Sequence, residues 1–273
     1  MTNMNKLLIS FFLILLPLVI FSQNFTRQDS LRGSITPQRA WWDLTYYHLD
    51  ISVDPDNRFI KGTNTVQYKV LEGNDEMQID LQEPLKITKI TQDGNELNFR
   101  SEGYSHFIKL KKKQKKDKVK SIKIHYEGNP KIAVNPPWDG GLTWTRDFNG
   151  KHFVANSNQG IGASIWWPNK DHMYDEVDSM LISVNVPKDL VNVSNGRLRS
   201  IEDFGDTKTY HWFVSNPINN YGVNINIGDY LMFSEVYEDE KGDLDMVYYV
   251  LRDNILRAKS HFKDAIKMME ALN

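Results

Sequence analysis

The chain has 273 residues, no cysteine, a formal charge of −2 and an apolar share of 40%. Disulfides, thiol nucleophiles and cysteine-ligated metals are thereby excluded, and no net charge draws the chain toward nucleic acid or a membrane surface. With 7 Trp, 12 Tyr and 13 Phe it can fill a sizeable core, as one large domain or one domain and part of another.

The first element is an apolar run. Lys6 precedes LLISFFLILLPLVIF (Leu7–Phe21), and Ser22 and the polar pair Gln23-Asn24 follow. A charged start, a short apolar stretch and a small residue form the pattern of a secretory signal. The run is short for a membrane span and contains Pro17. Residues 1–22 are therefore expected to be a signal peptide, with the mature chain starting near Gln23 and no stable membrane span after cleavage. That places the protein in a periplasmic or extracellular space; an uncleaved anchor is the alternative. Residues 23–40 read as a polar, irregular lead segment.

Strands follow. In YYHLDISV (Tyr46–Val53) Leu49, Ile51 and Val53 alternate with His48, Asp50 and Ser52, the turn DPDN (Asp54–Asn57) comes next, and FIKGTNTVQYKV (Phe59–Val70) runs back. Further period-two runs are MQIDL (Met77–Leu81), LKITKIT (Leu85–Thr91), LNF after DGNE, HFIKL (His106–Leu110) and VKSIKIHY (Val119–Tyr126). Beyond these come MLISVNV (Met180–Val186), KTYHWFV (Lys208–Val214), YGVNINIGDYLMF (Tyr221–Phe233) and LDMVYYVL (Leu244–Leu251). Short strands at even intervals without intervening amphipathic helices predict an all-β fold of antiparallel sheets packed face to face. One strong helix is predicted at the end. Leu251, Ile255, Ala258, Phe262, Ala265, Met269 and Leu272 recur at spacings of four and three, an apolar stripe that needs something to pack on. Its stop at Asn273 suggests that a following domain is missing.

Chemistry-bearing motifs are sparse. The seven histidines, at 48, 106, 125, 152, 172, 211 and 261, are far apart in sequence, and no HExxH occurs. DHMYDE (Asp171–Glu176) is an acidic and His cluster that reads either as a solvated turn or as a metal site. No G-x-S-x-G elbow is present, and GIGAS lacks the Lys-Ser/Thr of a phosphate loop. The run KLKKKQKKDKVK (Lys109–Lys120) joins two strands and carries eight lysines. Without interleaved aromatics it is a charged hairpin tip rather than a nucleic-acid reader. The aromatics of AWWDLTYYH (Ala40–His48) and PPWDGGLTWTR (Pro136–Arg146) either stack sugars or fill the core. The loop NSNQGIGASIWWPNKD (Asn156–Asp171) combines an amide, two glycines, a tandem Trp and a Pro, and its glycines allow close backbone approach to a strand or a ligand.

Four segments in order, YYHLDISVDPDNRFIKGTNTVQYKV, NQGIGASIWWPNKD, ISVNVPKDLVNVSNGRL and WFVSNPINNYGVNINIGDY, resemble the amino-terminal domain of zinc aminopeptidases of the aminopeptidase N and leukotriene-hydrolase family. The resemblance runs from about Trp41 to the end. It implies a saddle-shaped antiparallel β-sandwich over residues 41–236, followed at 237–273 by the first strand and helix of a truncated catalytic domain. It also implies that zinc, with its HExxH and Gly-x-Met-Glu-Asn motifs, belongs to that absent domain. KMMEALN lacks the flanking Gly and Asn, so the chain alone is expected to hold no metal and no catalytic residue, and whether it is an enzyme stays open. In this family a Gln or Glu on a loop of the β domain helps hold the substrate's free α-amino group. Counting back from Pro168 and Asp171, that position is Gln159, with Gly160 and Gly162 as neighbours in the substrate-binding loop. The family carries another Gln two residues earlier, where this chain has Ser157. The implied partners are a peptide substrate and the chain's own catalytic domain, with no nucleic acid. The alternative is a stand-alone secreted β-sandwich module that binds peptide or glycan.

Overall fold

Alternation of apolar and polar residues decides most of the architecture, and the faces are assigned by burial. The computed structural model describes residues 25–238 and 242–272; the expected signal peptide lies outside them. The strands in chain order begin with β1 (Trp42–Asp54), β2 (Phe59–Val70), β3 (Glu76–Asp80), β4 (Lys86–Gln92), β5 (Asn95–Glu96) and β6 (Asn98–Glu102). They continue with β7 (Ser105–Lys109), β8 (Val119–Gly128), β9 (Gly141–Arg146), β10 (His152–Ser157), β11 (Ser179–Pro187) and β12 (Val191–Ser194). The last are β13 (Arg197–Asp203), β14 (Thr207–Val214), β15 (Ile225–Gly228), β16 (Tyr230–Tyr237) and β17 (Leu244–Leu251).

The largest sheet has the order β13-β14-β11-β1-β2-β8-β4-β5, and a second has the order β12-β15-β10-β9. Smaller sheets are β3-β7-β6 and β16-β17. In β1 the buried side chains are Trp42 and Leu44, then Tyr47, Leu49, Ile51 and Val53. The phase changes because the register against β2 shifts between Leu44 and Tyr46, an extra residue that re-aims the strand. The sequence predicts antiparallel sheets, and the pairs obey this with one departure among the named strands. β1 lies parallel to β11, Tyr46 opposite Ser179 and Ser52 opposite Asn185. A parallel pair needs a long crossover, and here the crossover carries the second sheet's β9 and β10 and the loop that follows them. Residues of both sheets, among them Ile124, Ile182, Val154 and Ile225, share one apolar cluster with Trp166 and Trp167.

Three local expectations are corrected. The lead segment is helical where it is described, not irregular. It forms α1 (Arg27–Gly33), whose cap Thr26 and residue Asp29 bond each other reciprocally, and α2 (Pro37–Ala40). Burial of Leu31 and Arg39 holds both helices on the sheet. The single strand expected over Tyr221–Phe233 is broken at Gly228-Asp229. β15 stays with β10 and β12, whereas β16 turns away to pair with β17. The turn is set by a residue distant in sequence: Arg252 grips the Asp229 carboxylate through Nε at 2.7 Å and Nη2 at 2.8 Å. The final helix is two helices, α3 (Ile255–His261) and α4 (Lys263–Leu272), joined at Phe262. Phe262 stacks on Tyr248 with ring centres 4.8 Å apart, and Tyr248 stacks on Phe233 at 4.9 Å. No described residue of α4 is buried. No helix among the described residues is long and apolar enough to cross a membrane.

Candidate functional site

The loop after β10 is built from its buried end. Trp166 and Trp167 are fully buried, and Tyr47 meets Trp167 edge-on at 5.0 Å. Asn64 donates to the Pro168 carbonyl at 2.8 Å, and Asn169 exchanges two backbone hydrogen bonds with Asp80 at 2.9 and 3.1 Å. The tandem Trp and the Pro thus anchor the loop, as their apolar bulk dictates. Gln82 donates to the Ile161 carbonyl at 2.6 Å and to Ser164 Oγ at 3.0 Å. Asp171 accepts from Ser164 Oγ at 2.5 Å and from its N–H at 3.2 Å. Burial pushes the Asp171 carboxyl above the usual range, partly offset by the Ser164 hydrogen bonds.

These contacts leave one turn in which two of the three expected site residues, Gln159 and Gly160, are exposed and the third, Gly162, is half-buried. Gly162 has φ +83°, and a Cβ there would stand 2.4 Å from Asp171 Oδ2, so the close approach its glycine permits is to the chain's own carboxylate. Gly160 differs. A Cβ there would meet nothing within 4 Å, and its φ of +71° is what favours glycine. The Gln159 side chain is exposed, and its amide oxygen accepts a short hydrogen bond from the Tyr221 hydroxyl. Beneath it the buried Asn158 donates to the carbonyls of Tyr221 at 2.8 Å and Val223 at 3.2 Å. From the other side Arg32 of α1 reaches the Gly160 carbonyl at 3.4 Å.

A cavity of about 610 Å³ opens beside this turn, lined by Asp29 and Arg32 of α1, by Gly162 and Asp171, and by Asn220 and Tyr221 among others. Its wall is mixed in charge, with the Asp29 and Asp171 carboxylates beside the Arg32 guanidinium, and Gln159 adjoins it through the hydrogen bond from Tyr221, which lines it. Sequence reasoning did not find Tyr221, Arg32 or Asp171 as parts of this site. Nothing local marks them, because Tyr221 is 62 positions from Gln159.

The acidic and His cluster is satisfied within the fold and does not present a metal site. Asp171 is held by Ser164, and Asp175 pairs with the buried Lys170. His172 accepts from the Tyr174 N–H. Among the described residues no three His, Asp or Glu side chains are placed to hold a metal ion. Ser183, His211 and Glu202 have the residue types of a hydrolytic triad, with contacts of 2.8 and 3.5 Å. Ser183 is only 1% exposed and also bonded to His48, and none of the three lines the cavity. A nucleophile needs access. Among the described residues the cavity brings together no set of groups for bond cleavage; its charged groups are the Asp29 and Asp171 carboxylates and the Arg32 guanidinium.

Residues 44–221 match the family described as the peptidase M1 N-terminal domain. Among solved structures the fold is similar to an M1 zinc metallopeptidase from Deinococcus radiodurans, a mutant bound to a Tyr-Ser-Ala substrate. The TM-score is 0.66 at 15% identity, over 79% of this chain and 49% of that one. It is also similar to native leukotriene A4 hydrolase from Saccharomyces cerevisiae, with a TM-score of 0.61 at 20% identity, over 78% of this chain and 32% of that one. The chain thus spans about half the length of the first and about a third of the second. No curated protein sequence matches the chain.

Proposed function

We propose, from the premise that the chain belongs to the peptidase M1 N-terminal domain family, that it is the front portion of an exported zinc-dependent aminopeptidase. In this reading it shapes one wall of the substrate cleft and helps bind the free amino terminus of a peptide. Zinc and the bond-breaking groups belong to a following catalytic domain. The described residues of this chain do not fit a metal ion, so no step of the reaction is assigned to them.

The observation that carries the reading is the placement of Gln159. Its amide stands exposed on a turn whose flanks are locked into the core, and it is bonded to Tyr221, which lines a cavity that also holds the Asp29 and Asp171 carboxylates. An ammonium is a compact donor with no acceptor of its own, and an amide oxygen held in place is a suitable partner. The exposed apolar side chains of Leu256, Met268 and Leu272 on the last two helices support a neighbouring domain over a stand-alone module. Export rests on Lys6 and the run Leu7–Phe21, and is checked by sequencing the amino terminus of the protein recovered outside the cytoplasm.

The test is kinetic and uses the full gene product. It should bind zinc and hydrolyse aminoacyl anilides. Gln159→Ala removes a hydrogen bond to a charged group, worth about 1.5–3 kcal/mol, or a roughly ten- to hundredfold loss in kcat/KM. N-acetylated substrates should be unaffected, and zinc content unchanged. Absence of zinc and hydrolysis overturns the enzymatic reading. Unchanged kinetics on free-amine substrates removes Gln159 from the site.

A further inference from the structure

We infer that Tyr221 is a positioning residue for Gln159, setting the orientation in which the amide oxygen receives a peptide's terminal ammonium. The inference rests on the reading of Gln159 given above and adds a residue to it.

Gln159 has little else to hold it. It is exposed and is followed by Gly160, whose surroundings are open. A free glutamine side chain samples many rotamers, and its amide presents either an acceptor or two donors depending on a half-turn. A cation is attracted by the first and repelled by the second. Something must select between them.

Tyr221 is built to do so. Its backbone N–H donates to Asn219 Oδ1 at 2.9 Å, and its carbonyl accepts from Asn158 Nδ2 at 2.8 Å. It sits in a single turn of 3₁₀ helix, Asn220–Gly222, whose buried Asn220 donates to the Lys170 carbonyl at 2.6 Å. Asn158 and Gln159 are consecutive, so the two segments of this site are joined twice, once through the Tyr221 carbonyl and once through its phenol. The hydroxyl donates to Gln159 Oε1. With an ammonium present, that arrangement spends the phenol proton on one lone pair of the amide oxygen and leaves the other lone pair of that oxygen free to face the cation. The opposite arrangement, with the amide donating to the phenol, turns N–H groups toward the positive charge.

The contact serves bound substrate and transition state alike, so its loss should appear in KM and leave kcat nearly unchanged. The experiment is a double-mutant cycle on the full gene product, with Tyr221→Phe, Gln159→Ala and both together. Tyr221→Phe keeps the ring and removes only the hydroxyl. It should raise KM for a free-amine peptide by roughly three- to tenfold, leave kcat within about twofold, and leave N-acetylated peptides unaffected. In the Gln159→Ala background it should do nothing further. The inference is overturned if Tyr221→Phe has no effect while Gln159→Ala has its full one. An equal effect in both backgrounds also overturns it, because Tyr221 would then act without Gln159. If Gln159→Ala itself changes nothing, the reading of Gln159 fails and this inference falls with it.

Discussion

Arg39 is where the chain's lead segment is fastened to the site, and Arg39→Ala is expected to loosen both. The guanidinium is fully buried. Nη1 donates to the carbonyls of Leu31 at 2.9 Å, Arg32 at 3.1 Å and Ser34 at 2.9 Å, and Nη2 pairs with Asp80. Without it Asp80 keeps Gln78 and Ser105, each at 3.0 Å, and the Asp171 N–H at 3.3 Å. It has then lost its countercharge while remaining buried. Breaking a buried ion pair on one side costs about 3–5 kcal/mol, a large part of a net stability of about 5–15 kcal/mol. At about 2–4 °C per kcal/mol the melting temperature should fall by roughly 6–20 °C. α1 should become cleavable, because its end is held by the same guanidinium. Thermal unfolding followed by circular dichroism, with limited proteolysis mapped between Phe25 and Thr36, measures both effects. Arg39→Met with Asp80→Asn, which removes both charges, should recover part of the loss. A melting shift below about 3 °C for Arg39→Ala, with α1 still protected, would refute this account.

Gly162→Ala should destabilise by about 1–3 kcal/mol, since its Cβ would meet Asp171 at a positive φ; Gly160→Ala, with open space, should cost less, and reversal of that order in melting experiments contradicts the loop geometry. The pKa of Lys170 is lowered to about 8, chiefly by burial, against the opposing pull of Asp175. Its folded value lies below the unfolded one, so the unfolded chain binds more protons between pH 8 and 10.5. Stability from this group should therefore rise with pH across that window, by at most about 1.4 kcal/mol per pH unit. Urea unfolding at about pH 8 and about pH 9.5 should show this rise in wild type and not in Lys170→Met. The 273-residue chain by itself should bind no stoichiometric zinc and turn over no aminoacyl anilide, since its described residues offer no ligand triad; one zinc per chain with turnover contradicts this. The chain should also self-associate in gel filtration through Leu256, Met268 and Leu272, all well exposed. A cut near Phe233 would sever β16, so the shortened chain should end at Gly228, and that version should run as a monomer.

Much of the fold was legible because strand periodicity is a local property. Leu49, Ile51 and Val53 face inward as their spacing predicts, and the turn Asp54–Asn57 closes the hairpin with Asn57 N–H on Asp54 Oδ1 at 3.1 Å. The position of Gln159 on the loop was legible through its distance from Pro168 and Asp171. The strands β9 and β10 were not, because Gly141–Arg146 and His152–Ser157 bury only part of an alternating face. The lead segment was also missed. Polar residues such as Arg39 become core only when a carboxylate from another element, here Asp80, meets them.

The sequence by itself determined the alternation of faces, the stiff tandem Trp and Pro that seat the loop, and the glycines where the backbone takes a positive φ. Each of these follows from interactions within a few residues. The parallel pairing of β1 with β11, the break at Gly228, the docking of α1 and the meeting of Tyr221 with Gln159 were decided by tertiary structure. They depend on contacts between segments far apart in the chain, whose partners and geometry exist only once the two large sheets have closed on their shared core.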